Sequence, residues 1–124
     1  MIDRSLGRYQ VPQAVRGRGA TAYTLFDLYG EHEQEMPDVE WLSDAGQNGY
    51  PILTADKNIR RTAEELAEVE RCAVVMFALP NSNMSGSEQV ARFMTNWNRI
   101  LQACRKPGPR IYSVHANRIV QVYP

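Results

Sequence analysis

Residues 49–61 read GYPILTADKNIRR. The apolar pair Ile52-Leu53 runs into Thr54-Ala55-Asp56, and Gly49 with the Tyr50-Pro51 step bounds it upstream. A short apolar run opened by turn residues predicts a buried strand. Asp56 then falls just past the strand's end. In open parallel α/β sheets ligands bind beyond the carboxyl ends of the strands, so the stretch sets a carboxylate where chemistry is usually done, with Lys57, Arg60 and Arg61 close behind.

Upstream, PDVEWLSDA (37–45) predicts a helix stopped by Gly46 to Gly49. Trp41, Leu42 and Ala45 share its apolar face. Asp38 precedes them by three, four and seven residues and lies on that face; Glu40 and Asp44 lie on another. Before this helix comes an acidic stretch, FDLYGEHEQEMP (26–37), long for a connection in a compact domain and expected as a functional loop. Ala20 to Leu25 alternates β-branched and aromatic residues and predicts a strand. Val11, Ala14 and Val15 predict a short helix with Pro12 in its first turn, ended by Gly17 and Gly19. Met1-Ile2-Asp3 predicts a minimal first strand ending in an acid.

Downstream, Thr62-Ala63-Glu64-Glu65 has the pattern of a capping box opening a helix. The apolar run AVVMFAL (73–79) predicts a central parallel strand covered on both faces. Ser85-Gly86-Ser87-Glu88 is a second capping-box pattern, and Val90, Phe93, Met94, Trp97, Ile100, Leu101 and Cys104 follow one helical repeat. Pro107-Gly108-Pro109 breaks it, and Ile111–Val114 with Ile119–Val122 predicts a terminal hairpin. The order βαβ(loop)αβαβαβ(β) predicts a three-layer α/β domain with a mainly parallel sheet.

The 124 residues suit one domain, 1–124, with a substantial core. A hydrophobic share of 44% and a charged share of 23% exclude a disordered chain or coiled coil. Fourteen basic and fourteen acidic residues cancel, which argues against coating nucleic acid by bulk charge but leaves a local basic site open. Cys72 and Cys104 belong to no CxxC or Cys/His pattern, so two reduced thiols are expected. No apolar run reaches the length of a membrane span, and MIDRSLGR does not read as a signal peptide, so cytoplasmic residence is expected.

Three acids stand apart. Asp3 ends the first strand, Asp56 the third, and Asp38 opens the helix leading into the third. If the two strands share one carboxyl edge, the acids face one crevice. Clustered carboxylates raise each other's pKa unless a cation is present, and oxygen ligands of this kind suit Mg²⁺ or Mn²⁺. Each acid also has a plainer reading: Asp38 as a helix cap, Asp56 as a turn cap, Asp3 as a solvated terminal residue.

Asp3-Arg4-Ser5-Leu6, Pro37-Asp38-Val39-Glu40-Trp41-Leu42 and Ile52-Leu53-Thr54-Ala55-Asp56-Lys57-Asn58-Ile59-Arg60 resemble the short branch of the PIN-like nucleases, which includes VapC-type toxins. The resemblance spans most of the chain, and the apolar-apolar-Thr-x-Asp strand end is its most specific part. It implies an endoribonuclease dependent on Mg²⁺ or Mn²⁺, the toxin of a type II toxin–antitoxin pair, that hydrolyses RNA phosphodiesters with metal-activated water. By position, Asp3, Asp38 and Asp56 would be the catalytic, metal-binding acids, and Arg60 or Arg61 could touch the RNA backbone. Many such nucleases carry a further acid after the next strand. Here that place holds Asn81, Ser82, Asn83 and Ser85, where Ser82 or Asn83 could hold a water, and one metal or two is left open.

The balanced charge suggests a narrow RNA substrate. An antitoxin protein is the implied partner, and Tyr23, Phe26 and Tyr29 could make a homodimer contact or cover the sheet. The alternative is a non-catalytic protein-interaction module of the same fold, with Glu31 to Glu35 as a docking surface for a basic partner. A phosphoacceptor receiver domain would need an adjacent acidic pair after the first strand and a Lys after the last; neither is evident. His32 and His115 have no nucleophile at a recognisable spacing.

Overall fold

Four hydrogen-bonded strands, β1 (Ile52–Thr54), β2 (Val75–Ala78), β3 (Arg110–Val114) and β4 (Ile119–Tyr123), lie side by side in that order. The computed structural model describes residues 1–56, 62–81 and 83–124. β1, β2 and β3 run parallel, and β4 turns back antiparallel to β3 as the predicted hairpin. Side chains alternate across a strand, and the register aligns them in rows: Ile52, Met76 and Ile111 in one, Leu53, Phe77 and Tyr112 in the next.

Each row faces its own set of helices. Leu53, Phe77 and Tyr112 join a cluster with Val11 and Val15 of α1 (Gln10–Gly17), Phe93 of α5 (Gly86–Thr95) and Trp97 and Ile100 of α6 (Trp97–Ala103). The Phe77 and Tyr112 rings stack there, 5.3 Å between centroids. Ile52, Met76 and Ile111 join Leu25 of α2 (Leu25–Tyr29), Trp41, Leu42 and Ala45 of α3 (Asp38–Asn48) and Val69 of α4 (Ala63–Arg71). The result is the expected three-layer α/β arrangement. Its centre is β2, whose Met76 and Phe77 are both buried, one on each face. Burying such a side chain is worth about 1.5–3 kcal/mol.

α3 packs against α4 and contains Gly46, which lies against Cys72 at the end of α4. A Cβ on Gly46 would collide with the Cβ and the carbonyl of Cys72, so only glycine lets the helices close to this distance. The helix stops at Gly49, whose φ of 70° is a left-handed cap.

Several local expectations are corrected. The first strand is a single bridging residue. Ile2 pairs in parallel with both Leu53 and Thr24, through Ile2 N–H to the Tyr23 carbonyl (2.8 Å), Asp3 N–H to the Leu53 carbonyl (2.9 Å) and Leu53 N–H to the Met1 carbonyl (2.9 Å). The predicted strand at 20–25 is likewise reduced to Thr24. The acidic stretch after it is helical in part: Thr24 and Asp27 form a reciprocal capping box that starts α2, and a 3-10 turn follows at Gly30–Gln34. The helix predicted through 90–104 is divided at Asn96. That side chain is buried and donates to the carbonyls of Arg92 (2.9 Å) and His115 (2.7 Å), so it ties the break to the end of β3.

Candidate active site

Asp3 is 4% exposed, not a solvated terminal residue. Pairing of Ile2 with β1 carries it to the carboxyl end of that strand. Three donors hold its carboxylate: the Arg4 N–H on Oδ1 (2.8 Å), and the Ser5 (2.7 Å) and Thr54 (2.8 Å) hydroxyls on Oδ2. Both hydroxyls also accept, Ser5 Oγ from the Ala55 N–H (2.9 Å) and Thr54 Oγ1 from the Asp56 N–H (2.9 Å). The Thr54 hydroxyl therefore links the Asp56 backbone to the Asp3 carboxylate. That link gives the threonine of the strand-end motif a physical task.

Asp38 is the first residue of α3, and Pro37, not Asp38, occupies the N-cap position. Its Oδ1 accepts from Trp41 Nε1 (2.9 Å), one turn on and fully buried. The indole fixes the carboxylate on the inward face, and the helix N-terminus is where an anion is favoured. The competing reading of Asp38 as a cap is thereby excluded. Glu40 is exposed, and Asp44 accepts from the Tyr29 hydroxyl (2.7 Å), away from this face.

A fourth acid enters that sequence reasoning took only as part of a cap. Glu65, in the first turn of α4, shares a hydrogen bond with Asp38 and feels the charges of Asp38 and Asp56. Burial, then Asp38, then Asp56 push its carboxyl up to about 7, against a hydrogen bond with Thr62 that lowers it. Thr62 stands at the N-cap position but makes no capping bond with its side chain, so the capping box expected there does not form. The only signal for Glu65 was its spacing: α3 and α4 pack together, and an acid in the first turn of each brings the two carboxyls to one end.

Burial also pushes the Asp3 carboxyl up, offset by its hydroxyl donors, and the Asp38 charge adds to the rise. Asp38 thus adds to the rise at Asp3 and, with Asp56, to the rise at Glu65. Among the described residues, no three His, Cys, Asp or Glu side chains are gathered closely enough to hold a metal ion, so the expected convergence of Asp3, Asp38 and Asp56 is not complete in this arrangement. The donor set is nonetheless the one a hard cation takes: carboxylate oxygens and no sulfur or imidazole.

Of the remaining expectations, Arg60, Arg61 and Ser82 lie outside the described residues. Asn83 is exposed, in a turn where its N–H donates to Asn81 Oδ1 (3.0 Å). His32 is exposed and His115 half-buried. Among the described residues no helix is long and apolar enough to cross a membrane.

The family described as a PIN-like domain matches residues 1–81, the part that contains all four acids. A Mycobacterium tuberculosis (strain ATCC 25618 / H37Rv) protein assigned as ribonuclease VapC45 is 36% identical over 122 residues, 98% of this chain and 88% of that protein. No solved structure matches the chain to a significant degree.

Proposed function

The chain belongs to the PIN-like domain family, and from that premise we propose that it is an endoribonuclease, the toxin of a toxin–antitoxin pair, hydrolysing RNA phosphodiesters with the help of Mg²⁺ or Mn²⁺ in the cytoplasm. The observation that carries the reading is how the acids are held at the carboxyl edge of the sheet: Asp3 by the Ser5 and Thr54 hydroxyls, the Asp56 backbone by that same Thr54 hydroxyl, and Asp38 by the Trp41 indole. The similarity to a protein assigned as a VapC ribonuclease supports both the RNA substrate and an antitoxin partner.

Asp3, Asp38 and Asp56 would hold the cation, with Glu65 beside them. When bound, a divalent ion there lowers the pKa of a coordinated water and screens the charge of a phosphodiester. The chain's own groups do the rest. Ser5 and Thr54 orient Asp3 and keep one of its oxygens engaged. Trp41 fixes Asp38. Glu65, with its carboxyl near 7, is suited to hold or release a proton at physiological pH. Asp56→Asn should abolish cleavage and leave the fold intact, and EDTA should do the same to the wild type. Cleavage retained under both conditions refutes the assignment.

One observation favours the alternative of a non-catalytic interaction module. The connection after β2 contains no carboxylate, where many relatives have a further acid. Metal titration separates the two readings, since a module of that kind has no Mn²⁺ site dependent on Asp3, Asp38 and Asp56 together.

A further inference from the structure

A pocket of about 480 Å³ opens one residue away from Asp3, lined by Arg4, Arg8, Phe26, Glu33 and Gln34 among others. Its size is that of a small-ligand site. Arg4 belongs to both places: its N–H donates to Asp3, while its guanidinium donates to the Glu33 and Met36 carbonyls. On the pocket's wall the Arg8 guanidinium lies 4.1 Å above the Phe26 ring centroid, and Phe26 is still 38% exposed.

Glu33 is the unusual member. It is 4% exposed, yet its Oε2 makes no hydrogen bond. Arg4 Nε lies 3.2 Å from that oxygen without hydrogen-bond geometry, and Arg8 is 3.6 Å from Oε1. A buried carboxylate serving only to neutralise its neighbours should have its lone pairs filled, because a buried acceptor without a donor costs about 1–3 kcal/mol. Two guanidiniums against one carboxylate also leave a net positive charge beside a negative crevice.

We propose that this pocket receives an unpaired nucleotide of the RNA next to the scissile phosphate, and that it selects bases with an exocyclic amine. The inference rests on the ribonuclease reading and deepens it. The base continues the Arg8–Phe26 stack, as bases do on aromatic rings and guanidinium planes. Arg4 and Arg8 are forks suited to the backbone phosphate. Glu33 Oε2, an acceptor only, takes the amine of cytosine, adenine or guanine. Uracil has no amine and flanks its one N–H with carbonyl oxygens, which the carboxylate repels.

The test is steady-state cleavage, in Mn²⁺, of single-stranded RNAs that differ in one base at each position around the cut. The wild type should disfavour uracil at one position. Phe26→Ala, at a partly exposed site, should raise KM roughly tenfold to a hundredfold, the loss expected for one stacked base, with kcat little changed. Glu33→Gln, whose amide both donates and accepts, should abolish the discrimination against uracil. Wild-type cleavage without base preference at any position, or unchanged KM and preference in both folded variants, overturns the pocket assignment and leaves the nuclease reading standing. If Phe26→Ala keeps wild-type RNA kinetics but loses a co-expressed protein partner, the pocket binds protein and the nucleotide assignment falls. A folded, Mn²⁺-binding wild type that cleaves no RNA removes the nuclease reading, and the pocket assignment with it.

Discussion

The carboxyl groups of Asp38 and Glu65, at the N-terminal turns of two packed helices, share a hydrogen bond. The Asp38 and Asp56 charges both raise the Glu65 carboxyl, and the Asp38 charge adds to the rise at Asp3. Carboxyls gathered this way favour a bound proton or a cation among them.

The first prediction concerns pH. Glu65 is raised from 4.5 to about 7 in the folded chain. The folded state therefore binds the proton more tightly than the unfolded state. The associated stability is present below about pH 4.5 and is lost as the pH rises through 7. Asp3, also raised, contributes with the same sign. In EDTA, the Tm should fall between pH 5 and pH 8, and Glu65→Gln should flatten that slope. A wild-type Tm that rises over this window would contradict the assignment of a proton to Glu65.

Removing that proton also couples to metal. Mn²⁺ affinity should increase from pH 6 to pH 8, because the cation competes with the proton on Glu65. Calorimetry in buffers of different ionisation heat reads the proton release directly, and Glu65→Gln should reduce it.

Trp41 is expected to matter for a reason other than packing. Trp41→Phe keeps a buried aromatic ring but removes the Nε1–H that holds Asp38. Losing an outer partner of a metal ligand typically weakens metal binding or activity about 10–100-fold. Mn²⁺ titration and cleavage rate should both fall by that order, while circular dichroism stays native.

Thr54 joins strand to site. Thr54→Val is close to isosteric, but it withdraws a donor from Asp3 Oδ2 and an acceptor from the Asp56 N–H in a fully buried position. Leaving such groups unsatisfied should cost about 1–3 kcal/mol, measured by urea denaturation, and should lower cleavage as well. Thr54→Ser, which restores the hydroxyl, should recover most of both.

Much of this was legible in the sequence because it was periodic. The apolar runs at 52–53 and 73–79 and the 3.6-residue stripes gave the sheet, its mainly parallel sense and the helical layers. Asp3 and Asp56 could be brought together on paper because both end strands. What was not legible depended on contacts distant in the chain. Asn96 follows an unbroken apolar stripe, and only its bond to the His115 carbonyl divides the helix. Thr24 and Asp27 form a capping box, but the acidic residues after it read as a loop. Glu65 stood in a cap pattern, and its pairing with Asp38 appears only when α3 packs on α4. The close approach of those helices is set by Gly46, a residue that helical patterning ranks as a breaker.

The most direct measurement is a calorimetric titration of Mn²⁺ into the wild type and into Asp3→Asn, Asp38→Asn and Asp56→Asn, each shown to be folded, with RNA cleavage followed in the same buffer. The expected result is saturable binding in the wild type that is weakened severely or lost in every variant, in step with cleavage. Wild-type Mn²⁺ binding and cleavage in any one of the folded variants would contradict the claim that these acids together hold the catalytic cation.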